Sequence, residues 1–190
     1  MTPALPACLP HRGNAFSKYA SRALLALWGW RIEGEFPPRP KMVAIVAPHT
    51  SNWDFVVGIL AVFALGIRVH FLAKHTLFNP WMGWLMRWFG GVPVIREAPQ
   101  GLVPQAVAAI EGTPSVFLAI TPAGTRSSTK PWKSGFYRIA VDARVPIMPI
   151  IFDGERCAIR LLPAFEPTGD YDADLPRLMA LYEGVKGLRR

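Results

Sequence analysis

The sequence predicts an α/β fold: a single layered domain in which helices cover a largely parallel or mixed sheet, preceded by an N-terminal amphipathic helix. Three observations carry that expectation. Short apolar runs bounded by turn formers alternate with helix-length segments from residue 42 onward, as in strand–helix–strand crossover units. Polar, glycine-bearing motifs fall where the strand-like runs end, and open α/β sheets place their sites at such joints. The length of 190 residues fits one domain with a sizeable core, since domains cluster at ~100–200 residues.

Residues 1–13 contain Pro3, Pro6 and Pro10 without periodicity and read as a loose arm. Residues 14–33 set Ala23, Leu24, Leu27, Trp28 and Trp30 among Lys18, Arg22 and Arg31, which predicts an amphipathic helix. Glu35-Phe36-Pro37-Pro38-Arg39-Pro40 ends it, because proline lacks the amide donor that a helix or a central strand needs. An arm-and-helix region over 1–40 is thereby set off from a domain over 41–190. In that domain the pattern predicts strands near 42–47, 69–73, 92–95, 115–120 and 146–152, and shorter pieces at 157–162. Between them it predicts helices near 53–66, 78–89, 101–111 and 134–143. Val145-Pro146-Ile147-Met148-Pro149-Ile150 reads as a strand that its prolines place near the edge or end of the sheet, lining an apolar slot.

Hydrophobic residues make up 51% of the chain and its mean hydropathy is +0.23, yet no run approaches the ~18–20 apolar residues of a spanning helix. The longest candidate, Phe55 to Ile67, reads as a core helix. The composition fits a protein that lies on a membrane. Trp28-Gly29-Trp30-Arg31 and Trp81-Met82-Gly83-Trp84-Leu85-Met86-Arg87-Trp88 mix indoles with cations, a combination that settles at headgroup level. The net charge of +8 attracts phosphates of lipids, cofactors or nucleic acid, but no nucleic-acid module is present and nucleic acid is not expected as a partner. Met1 to Arg12 lacks the basic start and apolar stretch of a secretory signal. Cys8 and Cys157 match no metal or redox spacing, so a reduced cytoplasmic setting is expected.

Ala47-Pro48-His49-Thr50-Ser51-Asn52-Trp53-Asp54 sets an imidazole five residues before a carboxylate at the end of the first strand of the domain. With Ser51 or Asn52 as helix cap, the turn folds Asp54 back toward His49, whose second ring nitrogen then faces substrate as a base. Gly90-Gly91-Val92-Pro93-Val94-Ile95-Arg96 is a short strand ending in an arginine suited to bidentate phosphate binding. Thr121-Pro122-Ala123-Gly124-Thr125-Arg126-Ser127 follows an apolar strand and offers a close backbone approach at Gly124, hydroxyls at Thr125 and Ser127, and a fixed charge at Arg126. Lys74, at the end of the second strand of the domain, is a further candidate phosphate contact. The chain has no P-loop, no GxGxxG and no GxSxG elbow, which disfavours a covalent serine or cysteine intermediate. No His, Asp and Glu cluster has metal-ligand spacing, so no metal is expected.

In their order, His49 to Asp54, Gly91 to Arg96, Pro122 to Arg126 and Val145 to Ile150 resemble the four-block pattern of the glycerolipid acyltransferases, the 1-acylglycerol-3-phosphate acyltransferase family, with its HX4D motif. The resemblance spans about residues 41–152. It implies transfer of a fatty acyl group from acyl-CoA or acyl carrier protein, as co-substrate, to a lysophospholipid hydroxyl in phospholipid biosynthesis. The setting it implies is the cytoplasmic face of the cell membrane, peripherally bound, with no cofactor. It assigns His49 and Asp54 as the catalytic dyad, and Arg96, Gly124, Thr125 and Arg126 as contacts to the acceptor phosphate.

The third block of that family usually reads Pro-Glu-Gly-Thr-Arg, and here the acidic position is Ala123. The nearest upstream acids are Glu97 and Glu111. The departure keeps open a second reading, a non-catalytic or altered-acceptor lipid-binding relative, against which the presence of both His49 and Asp54 speaks.

Overall fold

The computed structural model describes residues 2–48, 52–95, 101–123 and 131–187. Its strands are β1 (Arg31–Gly34), β2 (Lys41–Ala47), β3 (Val69–Lys74), β4 (Gly91–Val94), β5 (Val116–Ile120), β6 (Ile147–Asp153) and β7 (Ala158–Leu161). Its helices are α1 (Ala15–Leu27), α2 (Asn52–Leu65), α3 (Gly83–Phe89), α4 (Leu102–Glu111), α5 (Gly135–Asp142) and α6 (Tyr171–Ala180). The strands form one sheet in the order β1-β7-β6-β2-β5-β3-β4. From β6 to β4 all neighbours are parallel; β7 pairs antiparallel with β6, and β1 runs alongside β7.

Alternation along the central strands divides the core between two faces. Met42 and Ala44 of β2, with Met148, Ile150 and Phe152 of β6, pack with Leu25 of α1 and Val57 and Ala61 of α2. Val43, Ile45 and Ile147 point the other way, toward Ala106 and Ile110 of α4, Phe136 and Ile139 of α5, and Leu178 of α6. The central strands are therefore buried on both sides, which is why they read as unbroken apolar runs.

The N-terminal arm is docked rather than loose. Leu9 is buried, His11 bridges to Ile67, and backbone bonds run from Arg12 N to Gly66 O at 2.7 Å and from Arg68 N to Pro10 O at 2.7 Å. The first helix is shorter than its apolar pattern. It opens on a capping box between Asn14 and Ser17, and Gly29, at φ +74°, ends it, so that Trp30 is buried and Arg31 lies in β1 instead of the helix. The helix expected over 78–89 is a short 3-10 turn at His75–Phe78 and then α3. Between them the Asn79 side chain accepts from the amides of Trp81 and Met82 at 3.1 and 2.8 Å, a local turn that interrupts the helix.

The strand over 146–152 is central, not at the edge. Pro146 precedes β6, and Pro149 stands opposite Leu162, one residue beyond the end of β7. Pro149 O accepts from Leu162 N at 3.0 Å, and the one bond that its missing amide forgoes, to Leu162 O, falls past the last paired residues of β7. α6, with Pro176 inside it, lies beyond the last segment that the sequence pattern assigned.

Candidate functional site

Parallel pairing places the C-terminal ends of β2, β5, β3 and β4 side by side on one edge of the sheet. Beyond β2 come Pro48, after a cis Ala47–Pro48 bond, and α2, which carries Asp54 in its first turn. Beyond β5 come Thr121, Pro122 and Ala123; β3 ends at Lys74, and β4 leads into Ile95. Neighbouring strands are ~4.8 Å apart. The first and third blocks thus leave adjacent strands, with Lys74 one strand further and the second block at the sheet margin. Asp54 and Lys74 are the two predicted site residues that the structure describes. His49, Arg96, Gly124, Thr125 and Arg126, and with them Ser127, lie outside the described residues.

Asp54 is 3% exposed, and its burial follows from helical spacing. Val57, Ala61 and Ala64, all buried, continue from it on one stripe of α2, the stripe that faces the sheet. Gly58 of α2 faces the Phe152 ring of β6, which a Cβ there would meet at 3.5 Å, an ordinary packing contact. A carboxylate in the first helical turn is favoured by the amide dipoles, and Trp53 and Phe55 on either side of it are exposed.

Three supports of this edge were invisible to motif reasoning. Gln105 of α4 accepts from Ile95 N at 2.8 Å and donates to Ile95 O at 2.9 Å, holding the backbone at the exit of β4. The residue is an ordinary polar side chain in an apolar helix, which was the available signal. Lys133 N donates to Pro122 O at 3.0 Å, joining the described start of the third block to the segment ahead of α5. Trp132 then stacks edge-on against Tyr182 and Phe136 and accepts at its carbonyl from Tyr171 Oη at 3.2 Å. Tyr182 Oη in turn donates to Ile45 O of β2 at 3.0 Å, and burial raises the pKa of that phenol, so it stays a donor.

Other candidates fall away from the edge. The carbonyl of Glu111 accepts from Lys41 Nζ at 3.2 Å, and Lys41 begins β2, so this acid sits at the opposite end of the sheet and cannot replace the missing carboxylate; Glu97 lies outside the described residues. Ile147 to Ile151 are buried in the core. His70 pairs in register with Leu118 in mid-sheet, and its pKa is lowered by burial and by the charge of Arg68. Among the described residues no helix is long and apolar enough to cross a membrane.

A family model described as Acyltransferase matches residues 30–153. The chain is 30% identical to 1-acyl-sn-glycerol-3-phosphate acyltransferase alpha of Bos taurus over 203 aligned positions, covering 92% of this chain and 69% of the relative. It is 31% identical to 1-acyl-sn-glycerol-3-phosphate acyltransferase of Streptococcus pneumoniae, covering 70% of this chain and 53% of the relative. The fold is similar to the crystal structure of the 1-acyl-sn-glycerophosphate (LPA) acyltransferase PlsC from Thermotoga maritima. The TM-score is 0.58 at 16% identity, with 90% of this chain and 80% of that chain covered.

Proposed function

The chain belongs to the acyltransferase family, and from that premise we propose that it transfers a fatty acyl group from acyl-CoA or acyl carrier protein to the free hydroxyl of a 1-acylglycerol-3-phosphate-like lysophospholipid. The observation that carries the reading is the joint of β2 and α2, where the HX4D carboxylate, Asp54, is buried at the edge on which the strands leading into the second and third blocks also end. His49, oriented by Asp54, takes the proton of the acceptor hydroxyl as its oxygen attacks the thioester carbonyl. The tetrahedral intermediate collapses with cleavage of the C–S bond, and the proton passes from His49 to the leaving thiolate. General-base help of this kind is worth ~10²- to 10⁴-fold, and a buried carboxylate also stabilises the imidazolium. Backbone amides near the start of α2 serve the oxyanion.

Arg96, Gly124, Thr125 and Arg126 hold the acceptor phosphate, with Lys74 entering from β3. A thioester is already activated, so the step calls for no metal or other cofactor. Residues 41–190 form the acyltransferase domain. Residues 1–40 contribute α1, whose exposed Phe16, Tyr19, Leu24 and Leu27 rest the protein peripherally on the cytoplasmic face of the membrane, where the acceptor resides.

His49→Ala tests the dyad: acyl transfer should fall by roughly 10²-fold or more while lysolipid binding holds. Wild-type turnover in that variant would overturn the assignment. Ala123 supports one second reading, an acceptor other than 1-acylglycerol-3-phosphate or a lipid-binding role without transfer. A panel of lysolipids with both donor types separates the two.

A further inference from the structure

Every exposed large hydrophobic side chain among the described residues, apart from Met179 and Leu181, lies between Phe16 and Ile95. The helices in that range share one face of the sheet. α1 packs on α2, and the Arg12 guanidinium lies over Phe63 of α2 at 5.1 Å and Trp88 of α3 at 4.1 Å. The crossovers from β2 through α2 to β3 and from β3 through α3 to β4 advance in the same direction along the sheet, so right-handed connection puts both helices on one side. Residues 1–32 and 55–95 contain no acid at all, and Asp54 is buried. Arg12, Lys18, Arg22, Arg68, Lys74 and Arg87 come from this region. The exposed acids Glu111, Asp142 and Asp172 belong to α4, α5 and α6 on the other face.

Within the acid-free stretch 55–95, Trp81, Trp84 and Trp88 are 88%, 65% and 54% exposed, with Leu77 and Met82 beside them. The polypeptide around α3 runs back across the sheet from the end of β3, at Lys74, to Gly90, whose added Cβ would collide with the Val69 carbonyl at the start of β3. Trp81 and Trp84 are thus at the end of α3 nearer the candidate site. We propose that the α3 region is a second membrane-contact surface, specific for anionic bilayers, with Trp81 and Trp84 entering the headgroup layer beside the site. Indoles at headgroup level with cations around them fit a lipid interface; a rigid acidic protein would be met by more charge and less exposed indole. The inference rests on the membrane-surface reading of α1 for its purpose, but its test needs no turnover.

The experiment measures partition of the full chain onto vesicles of phosphatidylcholine with and without phosphatidylglycerol, for wild type and for Trp81→Ala/Trp84→Ala. Wild type should prefer the phosphatidylglycerol vesicles, and the double variant should partition at least about tenfold more weakly with an unchanged melting temperature. His49→Ala should bind as wild type does, which separates this inference from the catalytic one. If the double variant unfolds, brominated-acyl phosphatidylcholine provides the second readout: it should quench wild-type tryptophan fluorescence, and Trp81→Phe/Trp84→Phe should remove a large part of the quenched signal. Equal partition of wild type and a folded double variant, no preference for anionic vesicles, or quenching unchanged in the Phe variant would each overturn the proposal. Binding of these tryptophans to an acidic acyl carrier protein in place of vesicles would overturn it too.

Discussion

Asp54 joins two demands on one side chain, since it lies on the packed stripe of α2 and is also the carboxylate five residues beyond His49. Asp54→Asn keeps the shape but removes the charge that stabilises an imidazolium. Turnover should drop by roughly 10²- to 10⁴-fold at little cost in acceptor binding, to be read in steady-state kinetics beside an equilibrium binding measurement. A variant with near-normal turnover would leave His49 without its proposed orienter. Ala123 poses the converse question, because a carboxylate is absent where the family has one. Ala123 is half-buried in the turn after β5, next to the bond between Lys133 and Pro122. Ala123→Glu should raise turnover on 1-acylglycerol-3-phosphate several-fold if the site is otherwise that of the family, since a carboxylate there can orient the neighbouring donors. Full activity in wild type and none gained in the variant would show that this acceptor is handled without the acid.

At the scale of elements, what the blocks require is strand ends held in place. Gly90 closes α3 at φ +94° and lets β4 start against β3, and Gln105 secures the other end of that short strand at Ile95. Each bond from the amide of Gln105 is neutral and partly exposed, worth about 0.5–1.5 kcal/mol. Gln105→Ala should therefore raise KM for a phosphate-bearing acceptor by roughly 3- to 10-fold with kcat at saturation nearly intact. Should Arg96→Ala raise KM while Gln105→Ala does not, the clasp is structural and does not position the arginine. The pairing of glycine with strand was legible beforehand; the clasp was not, because a glutamine ten residues away in sequence carries no local signature.

For the whole molecule, the C-terminal segment ties α6 to α5 and to the loop after β7 through a buried carboxylate. Asp174, fully buried, accepts from Tyr137 Oη at 2.7 Å, Thr168 N at 2.7 Å, Thr168 Oγ1 at 2.9 Å and Arg177 Nη1 at 3.0 Å. Burial pushes its pKa up, but these donors outweigh burial and hold the carboxyl below its usual range. The folded pKa is depressed, so the stabilisation is fully present above the unfolded value of ~3.9 and is lost as pH falls through the lower folded value. Denaturation measured from pH 7 to 3 should show wild type losing stability faster than Asp174→Asn below about pH 4. Tyr137→Phe should cost ~1.5–3 kcal/mol at neutral pH, the worth of a hydrogen bond to a charged group. Parallel pH profiles for wild type and Asp174→Asn would mean that the carboxylate is not the linked group.

The sequence by itself determined the layered α/β class, the approximate positions of its central strands, and the order of the four blocks with the missing acid at Ala123. Each depends on local periodicity or on residues close in the chain. Central strands such as Met42 to Ala47 announce themselves because burial on both faces forbids polar residues. Tertiary structure alone decided that the strands leading into the first three blocks end on one edge, since strand order comes from long-range pairing. It also decided that β6 is central despite its prolines, that the arm is docked, and that α6 braces Trp132. These outcomes rest on hydrogen bonds and packing between segments up to 137 residues apart, as between Tyr182 and Ile45. No window of sequence contains both partners of such a contact, and whether a proline or an arm is tolerated depends on which strand or helix ends beside it.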